Sequence, residues 1–97
     1  MISVEELREE RGNLCEHCQQ LPGTQRHHVL FRRSKNHPDY DHKFNLMLVA
    51  AKCHMEGKVD AREVREWFWK VQVERYGQEF IDWYESVSTK SVKERYE

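Results

Sequence analysis

Four groups of side chains able to do chemistry follow one another along the chain: Cys15-x-x-Cys18, the adjacent pair His27-His28, Asn45, and the adjacent pair Cys53-His54. Imidazole, with an ordinary pKa of about 6.5, accepts protons at neutral pH and is the commonest metal-binding side chain. Thiols at CxxC spacing are soft metal ligands, although such a pair can also serve redox exchange or simply pack. No thioredoxin-like βαβ pattern follows Cys18, so metal binding or packing is the better reading. Singly, each group carries little information. A His-His dipeptide usually belongs to an ordinary strand or surface, and a lone Asn to a turn or cap. Their ordered company is what points to chemistry.

The elements that must position these residues follow from local pattern. Ser3 and Glu6 have capping-box spacing and open a short helix from Val4 to Arg11, which Gly12 ends. Leu14 to Gln20 holds the cysteine pair, and Leu21-Pro22-Gly23 marks a turn. Gln25 to Phe31 is expected to be a strand, Arg32 to Lys43 a long polar surface loop, and Phe44 to Val49 a second strand. Ala50 to Met55 suits a helix that Gly57 could close. Asp60 and Glu63 repeat the capping-box spacing and predict a helix to about Tyr76, with Val64, Trp67, Phe68 and Val71 on one face and Trp69, Val73 and Tyr76 on another. Gly77 is placed as its cap, Phe80 to Val87 makes a further short helix with Trp83 and Tyr84, and the polar tail 89–97 is expected to fray.

The expected fold class is therefore α+β in one domain over 1–97. An N-terminal helix precedes a ββα core over 14–58 with a long loop between two short strands, and C-terminal helices cover 60–88. Two strands followed by a helix, with a His on the first strand and a His on the helix, set two imidazoles on facing elements that could grip a divalent metal from two sides. Adjacent strand residues face opposite sides, so His27 and His28 are expected to have separate roles.

These residues resemble the HNH endonuclease family, whose ββα-metal core has a His-His or Asp-His pair, a central Asn, and a His or Asn on the helix. The resemblance covers about Leu14 to Lys58, somewhat under half of the chain. It implies that His27 ligates a catalytic metal, that His28 is the general base, that Asn45 hydrogen-bonds across the long loop, and that His54 is the second metal ligand. The chemistry suits the residue types: phosphodiester hydrolysis needs a base for the attacking water and a divalent cation to stabilise charge on the phosphorane and the departing 3′-oxygen. The nuclease colicins, a branch of the same class, carry a further His four residues beyond the helix His; here that position is Lys58. Two imidazoles with water and phosphate oxygens leave Mg²⁺, Mn²⁺ and Ni²⁺ open.

Family members with CxxC usually complete a four-Cys structural zinc with a second CxxC on the helix. In this chain that stretch is Ala50-Ala51-Lys52-Cys53, so Cys15, Cys18 and Cys53 remain as three candidate zinc ligands. A fourth place could be filled by a His, with His17 nearest in sequence, by water, or the site could be empty.

Bulk composition narrows the partners. The 97 residues carry a formal net charge of -1, which does not by itself suggest a nucleic-acid binder. The charge is uneven, however: Glu5, Glu6, Glu9, Glu10 and Glu16 crowd the first 25 residues, whereas Arg26, Arg32, Arg33 and Lys35 follow without an acid. These four are the candidate DNA contacts, suited to phosphate rather than base recognition. Three cysteines argue against a disulfide framework, and no apolar run approaches the roughly 18 residues of a membrane span. A cytoplasmic protein of a bacterium or phage-infected cell, acting on DNA and not on a membrane, is the expectation. A metal-dependent endonuclease leads; a zinc-knuckle binding or scaffolding module is the alternative, and the helices from Trp67 to Tyr84 could meet a protein partner or a second copy.

Overall fold

The hairpin that carries the histidines is built on a strand with no exposed residue. In the computed structural model, which describes residues 2–96 and the side chains of 2–89, strand β1 is Gln25–His28 and β2 is Leu46–Val49. They pair antiparallel, with Gln25 opposite Val49, His27 opposite Met47 and His28 opposite Leu46. All four β2 residues are buried, and their alternation divides the core. Leu46 and Leu48 pack with Leu7 of helix α1 (Val4–Arg11), while Met47 and Val49 join Cys15, Cys53, Val59, Phe68 and Phe80 on the other side. Full burial of each such side chain contributes about 1.5–3 kcal/mol, so β2 is the axis of the fold.

Helix α1 starts with the expected capping box: the Ser3 hydroxyl accepts from the Glu6 amide at 3.1 Å, and the Glu6 carboxylate accepts from the Ser3 amide. The knuckle after it is closed by Cys15 N–H donating to Leu21 at 2.7 Å and Gly23 N–H to Asn13 at 2.8 Å. A Cβ on Gly23 would lie 2.4 Å from Leu48 Cγ, so only glycine lets the knuckle pack this closely on β2. After β2 come α2 (Ala51–Met55), a 3-10 turn at Lys58–Asp60, α3 (Arg62–Tyr76) and α4 (Gln78–Tyr96). The class is mixed α+β, as the sequence pattern implies. No helix among the described residues is long and apolar enough to cross a membrane.

Several boundaries differ from expectation. β1 stops at His28 rather than Phe31 because the backbone of 29–31 bonds to Asn45 instead of continuing the ladder. Phe44 is not in β2: a 3-10 turn spans Lys43–Asn45, opened by His42, whose Nδ1 accepts from the Phe44 amide. The long loop has its own 3-10 turn, Pro38–Asp41, anchored by buried Tyr40, which stacks on Phe31 and His37. Asp60 does not cap α3. That helix begins at Arg62 with Ala61 at its N-cap and no side-chain cap bond, and the Asp60 carboxylate lies beside His27 instead.

The buried face of α3 carries Phe68 and the wholly buried Gln72, whose amide donates to the Lys43 and Phe44 carbonyls. Trp69, Val73 and Tyr76 pack beside them, while Trp67 is 40% exposed. Helix α4 exceeds the expected Phe80–Val87 at both ends; the fraying expected over 89–97 concerns, past Thr89, side chains outside the described ones.

Candidate active site and metal centre

One open cleft of about 640 Å³ is lined by His27, His28 and His54 together with Arg26, Arg32, Arg33, Asp41 and Asp60. β1 supplies Arg26, His27 and His28, α2 supplies His54, and the long loop supplies Arg32, Arg33 and Asp41. Of the four expected DNA contacts, three line the cleft; Lys35 is exposed but does not line it. One Arg26 nitrogen already donates to the Ile2 carbonyl at 2.8 Å, so its guanidinium is partly committed to holding the N-terminal segment.

His27 and His54 form the candidate metal pair. Their ring centroids are 5.0 Å apart at 62°. The Gln25 side-chain oxygen accepts from His54 Nδ1 at 2.7 Å, which leaves the Nε2 lone pair for a ligand. Such an outer hydrogen bond fixes the tautomer and orientation of a metal-binding His. His27 is buried, and burial lowers its pKa against the opposing pull of Asp60, so the ring is neutral and able to ligate at physiological pH. Two neutral imidazoles are donors of the kind that divalent transition metals take, although no third potential ligand gathers with them as closely as the three cysteines do with one another among the described residues.

His28 is arranged differently. Its Nε2 lies 2.6 Å from Asp41 Oδ1. An ionised carboxylate only accepts, so Nε2 is the donor and Nδ1 keeps the lone pair that can take a proton. Across the hairpin, His27 and His28 pair with Met47 and Leu46, the two sides of β2, yet both rings reach the cleft.

Asn45 does not touch the cleft; it holds the loop that does. Wholly buried, its Oδ1 accepts from the Leu30 and Phe31 amides at 2.8 and 3.0 Å, and its Nδ2 donates to the Phe31 and Tyr40 carbonyls, each at 2.8 Å. Four bonds from one amide tie the end of β1 to the turn that carries Asp41.

Cys15, Cys18 and Cys53 bring their sulfurs within 4.8 Å of one another, and among the described residues they are the one such group of three or more potential ligands. Tetrahedral zinc with Zn–S bonds of about 2.3 Å needs sulfurs roughly 3.8 Å apart, which these can reach. Backbone N–H groups of Gln20 and Leu21 directed at Cys18 lower its pKa to about 7, whereas burial and the neighbouring sulfurs push Cys53 up to about 11. The donor set could hold a metal such as zinc. His17 does not join it: it lines a shallow cleft with Trp67 and Val64. Ala50, where a fourth thiolate would stand, is buried in the same cluster as Cys15 and Cys53.

Gln25, Asp41 and Asp60 are the site residues that sequence reasoning missed. Each lies 13 to 33 positions from its histidine, a separation with no periodic signature. Comparison of the chain with protein-family models, with curated proteins and with solved structures found no match.

Proposed function

We propose that the protein is a metal-dependent endonuclease that hydrolyses phosphodiester bonds in DNA. The observation that carries this reading is the convergence of His27, His28, His54, Arg32 and Arg33, from three separate segments, on one open cleft. His28 is the general base: Asp41 holds Nε2–H and stabilises the imidazolium that forms when Nδ1 takes the proton of the attacking water. Arg32 and Arg33, exposed on the loop, bind the phosphodiester and fix the strand's register without reading its sequence. Asn45 keeps base and arginines on a common frame. A divalent cation on His27 and His54, of the Mg²⁺, Mn²⁺ or Ni²⁺ kind, would supply Lewis-acid stabilisation of the phosphorane and the leaving 3′-oxygen. Zinc in the three-thiol group would stiffen the knuckle against β2 without taking part in the reaction.

The test is incubation of the protein with supercoiled plasmid and Mn²⁺ or Mg²⁺, followed by analysis of the ends. Nicked or linear DNA with 5′-phosphate and 3′-hydroxyl termini, abolished by chelator, is the expected result. A folded protein that leaves the plasmid intact under every divalent ion would refute the nuclease reading and favour the binding module.

A further inference from the structure

We propose that Asp60 is the third protein ligand of the divalent cation, which makes the site a triad of two imidazoles and one carboxylate. The proposal rests on the reading of His27 and His54 as a metal pair. Two Asp–His pairs line the cleft, and their distances differ in kind. His28 Nε2 and Asp41 Oδ1 are 2.6 Å apart, a close hydrogen bond, whereas His27 Nε2 and Asp60 Oδ1 are 3.4 Å apart. Charge-assisted N–H···O bonds are shorter than the second distance, at about 2.7–2.9 Å. Two donors each about 2.1 Å from one ion, however, sit roughly 3.0–3.4 Å apart across octahedral or tetrahedral angles. The Asp60 carboxylate therefore stands at a co-ligand's distance from His27 Nε2.

Its surroundings agree. The Asp60 side chain is 66% exposed, so little packing or pairing energy holds it toward His27. It is carried by the 3-10 turn Lys58–Asp60, which follows Gly57 in the left-handed region at φ 71°. This turn aims Asp60 at the cleft in place of capping α3. Lys58, four residues after His54, is engaged with Glu56 at 2.7 Å and offers no ligand. The donors of His27, His54 and Asp60 do not all lie within 4.8 Å of one another, and since Asp60 is already 3.4 Å from His27, binding needs a side-chain rotation that closes the gap to His54. One carboxylate added to two nitrogens shifts the preference toward harder ions such as Mn²⁺.

The experiment is titration of the full chain with Mn²⁺, a hard ion poorly suited to the three thiols, read by electron paramagnetic resonance for affinity and by water-proton relaxation for coordinated waters. Wild type, Asp60→Asn and His27→Ala are compared. The expected result is one site in wild type, affinity about 10-fold or more weaker in Asp60→Asn, and one additional exchangeable water on the bound ion in that variant. Equal affinity and water number in wild type and Asp60→Asn would overturn the assignment while leaving the two-His site standing. Weaker binding with an unchanged water count would also overturn it, reducing Asp60 to a positioning residue for His27. If wild type takes up no Mn²⁺, or His27→Ala binds as well as wild type, the two-His reading fails and the triad with it. Asp60 is exposed, so circular dichroism of Asp60→Asn should match wild type and keep the comparison interpretable.

Discussion

At the scale of single residues, the site depends on polar side chains whose partners come from far along the chain. Asn45 is the clearest case, because its four hydrogen bonds join two backbone segments, Leu30-Phe31 and Tyr40, from a wholly buried position. Asn45→Ala leaves the Leu30 and Phe31 amides without their acceptor and should cost about 3 kcal/mol of stability, measured as a lower urea midpoint. A loss below about 0.5 kcal/mol would mean that the loop is held by its aromatic stack alone. The types of the chemical residues were legible in the sequence. His27, His28, Asn45 and His54 could be named in order, and the three histidines among them do converge. Their orienting partners were not legible. Gln25 lies outside any motif, Asp41 sat in a stretch expected to lack structure, and Asp60 was assigned to a helix cap.

At the scale of elements, the chain's order of helix, knuckle, strand, strand and helices was readable, because the apolar run ending at Val49 and the two flanking helices have distinct periods. The ends were not readable. Asn45 captures the N–H groups that would have extended β1, and a left-handed Gly57 inserts a turn before α3. On α3, a buried Gln72 and an exposed Trp67 reverse the ordinary polarity of those residue types; the carbonyls at Lys43 and Phe44, shielded from water, need the Gln72 donor there. The knuckle bears a prediction of its own. Ala50 is buried beside Cys15 and Cys53 at the N-cap of α2, one helical turn before Cys53. Ala50→Cys should tighten zinc binding about 10-fold or more in competition with a chromophoric chelator, and should raise the melting temperature only when zinc is present. Unchanged zinc affinity would place the fourth ligand elsewhere.

At the scale of the whole molecule, α1, the hairpin and α3 are joined by a buried charge network. Arg11 donates to the Leu46 and Lys43 carbonyls, to Tyr76 and to Glu16; Glu16 in turn accepts from the Leu48 amide and pairs with Arg75. The Arg11 and Glu16 side chains are 1% and 3% exposed, so removing Arg11 leaves the Leu46 carbonyl without this donor and a buried Glu16 carboxylate balanced by Arg75 alone. Arg11→Ala should cost about 3–5 kcal/mol, whereas Arg62→Ala, which breaks an exposed pair with Glu66, should cost less than about 0.5 kcal/mol. Chemical denaturation of the two variants checks the contrast. Composition gave no sign of this network, because Arg11 and Glu16 count there only as two more surface-type charges. In the cleft, on the proposed nuclease function, His28 removes the proton from the attacking water. The most direct measurement is the rate of plasmid nicking in Mn²⁺ by wild type and by His28→Ala at equal concentration and matched circular dichroism. Loss of a general base should slow the reaction about 100-fold or more; equal rates in the two proteins would contradict the account.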